Sequence, residues 1–402
     1  MRLSETTIVS NTRDWVLESC LNAWDDVLAI ALSSSVIKFY DATSLRQVGS
    51  TVSLAPQGAP PESQRVCATR WDTSSPFLYY VACGSSDIWD AGIGQSSVPL
   101  RQAKVHAFDT RSNTMAHQWD FGPLARDVGE LGAMDISTTG TILCLGLGSE
   151  VCFFDVRGRN QGGREGGRAP LLLDRYSSHS DAVTSLMWHP FLPRHTLSAS
   201  EDGLVNVYDS GIAGEEDALV STLNVGDSLS HFGVFGPSGA LVHCATRTGE
   251  LSVWNIGGAE KLAEFVGLRG VGSQAPQPGP GDTPHLDYLL SAHYHPSRDT
   301  LTALGAENNG NIHVLDVTLQ GCGVKGVLKG GHTASPRCAA MPIRDPGVVY
   351  TGGEDGRVCT WREGSGSGRD AKMEGSRGKQ APSSRPWDDE AALFGKTKVS
   401  RR

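Results

Sequence analysis

Two stretches of this 402-residue chain carry the same residue types at the same spacings. The first contains His179-Ser180-Asp181-Ala182-Val183, Met187-Trp188-His189-Pro190, Ser198-Ala199-Ser200-Glu201-Asp202-Gly203 and Val205-Asn206-Val207-Tyr208-Asp209. The second contains Gly331-His332-Thr333, Tyr350-Thr351-Gly352-Gly353-Glu354-Asp355-Gly356 and Val358-Cys359-Thr360-Trp361. In both, a His precedes a hydroxyl residue by 19 positions, an Asp follows four later, and an aromatic ring six after that. Such repetition constrains the fold more than any other signal. A unit with a period of roughly 40–45 residues must be one supersecondary element that buries its apolar face against its neighbours.

Residue by residue, these spacings resemble the WD-repeat family. In that family such residues form a buried hydrogen-bonded relay from loop to turn to strands. The resemblance therefore implies structural roles for His179, Ser198, Asp202 and Tyr208, and for His332, Thr351, Asp355 and Trp361. Tyr208 stands where the family usually has Trp, and a phenol can still donate a hydrogen bond.

The remaining units are eroded but keep an aromatic or apolar ending to their third strand. The endings are Phe39-Tyr40-Asp41, Ala107-Phe108-Asp109, Phe153-Phe154-Asp155, Tyr208-Asp209, Val253-Trp254-Asn255, Val314-Leu315-Asp316 and Cys359-Thr360-Trp361. Seven endings imply an all-β chain, a single seven-bladed WD40 β-propeller over residues 1–361. Strand-length apolar or alternating runs support it at Val27 to Leu32, Phe77 to Cys83, Thr141 to Leu147, Leu241 to Ala245 and Val348 to Thr351. Asp202-Gly203, Asp355-Gly356 and Asn309-Gly310 supply the positive φ of tight hairpins. A propeller must close without leaving a raw sheet edge. Thr6-Thr7-Ile8-Val9-Ser10 is the candidate outer strand of the last blade. Gly-, Pro-, Ser- or charge-rich insertions interrupt the period near 84–102, 157–170 and 266–285. From residue 362 to 402 the composition reads as a flexible, disordered basic tail.

Within the WD-repeat superfamily, several stretches further resemble one orthologous group. They include residues 178–209, the acidic connector Glu215-Glu216-Asp217-Ala218-Leu219-Val220, Leu286-Asp287-Tyr288-Leu289, Gly310-Asn311-Ile312-His313 and residues 330–332 and 353–355. The N-terminal blades match more loosely, and the insertion at 84–102 is a departure.

Chemistry is mostly argued away. The formal charge is −9, and the last 41 residues hold ten Lys or Arg against six Asp or Glu. The acidic body argues against broad nucleic-acid binding, which needs a basic surface. No window offers the twenty apolar residues of a membrane-spanning helix, and the start lacks the apolar run of a secretory signal. Nine cysteines without a Cys-x-x-Cys spacing read as reduced core residues of an intracellular protein. His293-x-His295 has two imidazoles, but His295-Pro296 aligns with His189-Pro190 as a structural pair. No cofactor, metal ligand or catalytic residue is expected. Arg157 to Arg168 has an RGG-like flavour that reads as a solvated linker.

Phe108-Asp109-Thr110-Arg111 and Phe154-Asp155-Val156-Arg157 end two consecutive blades with Asp-x-Arg. They resemble the double WD-x-Arg box of propellers that serve cullin-based ubiquitin ligases as substrate receptors, with Phe in place of Trp. The resemblance implies that Asp109, Arg111, Asp155 and Arg157 face an adaptor. Otherwise Asp-x-Arg is a common exit from a blade, with the arginine at the rim. In the tail, Arg385-Pro386-Trp387-Asp388-Asp389-Glu390-Ala391-Ala392-Leu393-Phe394 could open a helix that folds onto a partner, and Lys396-Thr397-Lys398-Val399-Ser400-Arg401-Arg402 favours the nucleus over the cytoplasm. The reading is a non-catalytic scaffold for other proteins or peptides, monomeric within a larger complex. The alternative is a ligase substrate receptor.

Overall fold

The computed structural model describes residues 1–8, 14–54, 64–85, 103–157, 170–268 and 286–363. Strand β1 (Arg2–Ile8) stands apart from the regular sequence of four-stranded units. Blade one is β2 (Val16–Leu21), β3 (Val27–Leu32), β4 (Val36–Asp41) and β5 (Gln47–Ser53), and blade two β6 (Gln64–Trp71), β7 (Leu78–Ser85), β8 (Ala103–Asp109) and β9 (Thr114–Asp120). Helix α1 (Gly122–Val128) leads into blade three, formed by β10 (Leu131–Ile136), β11 (Ile142–Leu147), β12 (Glu150–Asp155) and β13 (Leu171–Tyr176). Blade four has β14 (Val183–Trp188), β15 (His195–Ser200), β16 (Leu204–Asp209), the one-turn helix α2 (Glu215–Ala218) and β17 (Leu219–Asn224). Blade five is β18 (Leu229–Phe235), β19 (Leu241–Thr246), β20 (Leu251–Asn255) and β21 (Glu260–Phe265). Blade six is β22 (Tyr288–His295), β23 (Thr300–Ala306), β24 (Ile312–Thr318) and β25 (Gly321–Leu328), followed by β26 (Pro336–Ala340), β27 (Val348–Gly353) and β28 (Arg357–Arg362) of blade seven.

Each of the first six sheets runs in chain order, every pair antiparallel, whereas the seventh is ordered β1-β28-β27-β26. The N-terminal strand thus supplies the outer edge of the last blade, with Arg2 opposite Arg362 and Ile8 opposite Arg357. The strand expected over residues 6–10 begins at Arg2, and Val9 and Ser10 lie outside the described residues. The first strands of successive blades neighbour one another around a full circuit, β26 returning to β2. That circuit is the seven-bladed propeller expected from the strand endings, all seven of which fall in the third strand of a blade.

Alternation with period two makes this closure possible. The second and third strands are buried along nearly their whole length, because both faces of each sheet meet a neighbouring blade. Leu28, Ile30 and Leu32 pack with Val348 and Tyr350 across the blade one–seven boundary, and Ala29 and Phe39 pack with Val81 and Tyr79 toward blade two. Outer strands such as β5 and β9 are mainly exposed. Helix α1, unexpected from the sequence, has Pro123 in its first turn and fills the blade two–three boundary with Ala125, Leu124 and Val128.

The topology defines two faces. One, here the lower face, carries the turns between first and second strands and between third and fourth. The upper face carries the turns between second and third strands and the connections between blades.

The described residues stop short of three expectations. Residues 86–102, 158–169 and 269–285 of the insertions lie outside them, as does the tail from residue 364 with its two motifs. Strand β28 itself continues through Arg362, and the Glu363 N–H donates to Gly347 O at 2.8 Å.

Candidate functional site

In blade seven, His332 arrives on the connection from blade six. Its Nδ1 lies 3.1 Å from Asp355 Oδ1 and its Nε2 2.8 Å from Thr351 Oγ1. The Trp361 indole N–H donates to the same Thr351 oxygen at 2.8 Å. Asp355 is held in the turn that Gly356 makes at φ 67°, and its Oδ2 accepts the Thr333 N–H at 2.8 Å. Burial would push the His332 pKa down, but hydrogen bonds to Asp355 and Cys359, and their charge, raise it to about 9. Burial acts in the opposite sense on Asp355, yet the bonds from His332 and Thr333 hold it below the usual carboxylate value.

Blade four repeats the geometry with one change. His179 Nδ1 is 3.0 Å from Asp202 Oδ2 and its Nε2 2.7 Å from Ser198 Oγ. Asn206, two residues before Tyr208 on the same face of β16, donates to the Tyr208 hydroxyl at 3.1 Å and lies 3.4 Å from His179 Nε2. Thr222 in turn donates to Asn206 at 2.8 Å. The amide fills the gap between phenol and imidazole, and the sequence reading did not single it out. The structure brings both predicted quartets together on the upper face, hydrogen-bonded, with the His, hydroxyl and aromatic members buried and Asp202 and Asp355 partly so.

The Asp-x-Arg residues sit on the lower face, at the exits of β8 and β12. Arg111 donates from Nε and NH2 to Asp109 at 3.2 and 2.9 Å, and Arg157 does the same to Asp155 at 3.0 and 2.7 Å. Each backbone N–H also closes onto its own aspartate, at 2.9 and 2.8 Å. The guanidiniums stay solvent-exposed, and that of Arg111 lies 4.6 Å over the Phe77 ring. Both aspartates are held below the usual value, first of all by the arginine hydrogen bonds.

A third group escaped the sequence reading. On the first strands around the axis, Arg70 lies 3.7 Å from Glu18 of blade one and 3.4 Å from Asp135 of blade three. Asp135 accepts the Trp188 N–H of blade four at 2.6 Å. One guanidinium thereby ties together four blades. On the blade five and six side stand His231, His243 and His293, held neutral by burial, with His231 pushed to about 4 and His293 to about 3.

His293 Nε2 faces Ser291 Oγ at 3.0 Å, whereas both ring nitrogens of buried His295 lack a hydrogen-bond partner. His189 Nδ1 accepts the N–H groups of Phe191 and Leu192, so its Nε2–H donates to Gly239 O at 2.9 Å. It pins a turn. Among the described residues, no group of three or more His, Cys, Asp or Glu is arranged to hold a metal ion. None of their helices is long and apolar enough to cross a membrane.

Ring closure defines the chain as a seven-bladed β-propeller, and the curated proteins it is similar to are WD repeat-containing proteins. It is 26% identical over 347 residues to the WD repeat-containing protein GTS1 of Arabidopsis thaliana, covering 83% of this chain and 78% of that protein. It is 24% identical over 302 residues to the WD repeat-containing protein 89 homolog of Dictyostelium discoideum, covering 74% and 69%. The latter belongs to the orthologous group that the sequence resembles. A chain in the crystal structure of the mitotic checkpoint complex superposes with a TM-score of 0.63 at 13% identity, covering 90% of this chain and 95% of that one. A scan against protein-family models returned no match.

Proposed function

We propose that this propeller is a non-catalytic scaffold, similar to the WD repeat-containing protein 89 group, that holds partner proteins or peptides on its faces within a larger intracellular assembly, the nucleus being favoured. The supporting observation is how the reactive-looking groups are used. His179 and His332 are consumed by bonds inside single blades, while the arginines of the lower face stay exposed on rigid turns. A rigid body with exposed loops suits binding. The neighbour in the mitotic checkpoint complex is itself held in a multiprotein assembly. Affinity purification of the full chain with cross-linking and mass spectrometry tests the reading. Reproducible partners cross-linked to propeller loops are expected, and recovery of the chain alone under mild lysis would contradict it.

A second reading is favoured by the forks at Arg111 and Arg157: a substrate receptor docking through these boxes onto the adaptor of a cullin-based ligase. Changing both to Ala removes ten guanidinium N–H donors, six of them not spent on Asp109 or Asp155, without touching the core. Adaptor co-purification should then drop; unchanged recovery, or no adaptor with the unaltered chain, rejects this reading.

A further inference from the structure

Blade four ends in Asp209-Ser210-Gly211, where an arginine would sit if it followed blades two and three. The Gly211 N–H nevertheless closes onto Asp209 Oδ1 at 2.9 Å, as the arginine N–H groups do in the two preceding blades. The missing side chain is replaced from elsewhere. Arg194, in the turn between β14 and β15, donates from Nε to Asp209 Oδ1 at 3.0 Å and from NH2 to Oδ2 at 3.3 Å, the same atoms paired in the same way. A Cβ added to Gly211 would lie 2.1–2.2 Å from that guanidinium, so Arg194 occupies the space the absent side chain would need. Its exposure, 60%, matches the 60% and 67% of Arg111 and Arg157. In blade five the same turn closes on Asn255 with Gly257, and a neutral amide replaces the carboxylate.

We infer that Arg111, Arg157 and Arg194 form one continuous row across blades two to four of the lower face, built to receive an acidic segment of a partner protein. The inference rests on the scaffold reading and names the chemistry of the partner. Each fork spends two of its five N–H donors on its own aspartate, which fixes the guanidinium plane and leaves three donors for carboxylates arriving from solvent. Arg111 is further pinned against Phe77. Preorganised arginines beside aromatic rings are the composition of binding hot spots, because little side-chain entropy remains to be lost. Trp24, exposed and edge-on to Phe77 at 5.2 Å, extends the row with an apolar anchor. The net charge of −9 opposes unspecific capture of such a segment, so binding depends on arginines fixed in place.

The test uses the full chain and a fluorescently labelled decaglutamate peptide as probe. Arg194→Ala should weaken binding at least threefold. Arg337→Ala, which removes an equally paired arginine from the upper face, should leave it unchanged. The pair Arg194→Ala/Gly211→Arg moves the fork to the position it holds in blades two and three and should restore the loss. Melting temperatures of all variants report retained folding. The row is rejected if Arg194→Ala and Arg337→Ala behave alike, if the relocated arginine restores nothing, or if the unaltered chain ignores the peptide. A scaffold without this acidic ligand would still return cross-linked partners in the purification above, which separates the two failures.

Discussion

Thr351 Oγ1 stands between the indole of Trp361 and the imidazole of His332, and Asp355 closes the far side of the ring. Removing the carboxylate by Asp355→Ala strands a buried imidazole and the Thr333 N–H, which costs about 1–3 kcal/mol. A lower melting temperature by differential scanning calorimetry is the expected outcome; an unchanged one would mean that the quartet does not support the blade. A pH dependence follows from the same pair. His332 titrates at about 9 in the fold against 6.5 when free. Its contribution is complete below pH 6.5 and is lost as pH rises through about 9. Comparing the chain with its His332→Gln variant from pH 6 to 9.5 should show the native advantage shrinking across that window. The quartets were legible because each lies within one repeat, where local geometry fixes the spacing. Arg70 and Arg194 were not. Arg70 finds Glu18 and Asp135 in other blades, across connections of irregular length, and Arg194 reaches Asp209 from a different turn. Arg70→Ala leaves both carboxylates without their cation, so a loss of about 1–3 kcal/mol in denaturant unfolding is expected, a core-pair penalty reduced by partial exposure.

At the scale of single strands, legibility follows burial. The run Val27 to Leu32 coincides with β3, since a strand covered on both faces must be apolar throughout. The outer strands β5 and β9 are mainly exposed, so solvent relaxes their pattern and their limits could not be read. Strand β1 was found by its position rather than its pattern, as the segment needed to cover β28. That role has a measurable consequence. Deleting residues 1–8 exposes the hydrogen-bonding edge of β28, whose Val358, Cys359 and Trp361 are buried. An uncovered edge invites another chain. The shortened protein should melt lower and show concentration-dependent association in sedimentation velocity, whereas a monomer of undiminished stability would show that β1 is dispensable.

For the whole ring, the chain that closes it need not be the chain that begins it. The circuit of first strands from β2 to β26 and back is continuous, and among the described residues the seventh blade alone is assembled from distant parts of the sequence. Arg2 pairs with Arg362, so the start of β1 lies beside the end of β28. A short hairpin linker from Glu363 to Met1 would make these strands sequence neighbours, and a new start at Ser178 with a new end at Ser177, in the connection from β13 to β14, would open the chain between blades three and four instead. Loop closure costs grow only logarithmically, about 0.6 kcal/mol per doubling of length. What is gained by joining β1 to β28 is therefore nearly offset by what is lost where β13 no longer leads into β14. The interface left to hold blades three and four together is substantial, with Ala133, Cys144 and Phe153 packed on Val183, Leu186 and Trp188. Such a permuted chain should fold to the same propeller and unfold in one transition, with a melting temperature within a few degrees of the original by calorimetry. Two separate transitions would instead mean that the covalent connection, rather than packing between blades, carries cooperativity across that boundary.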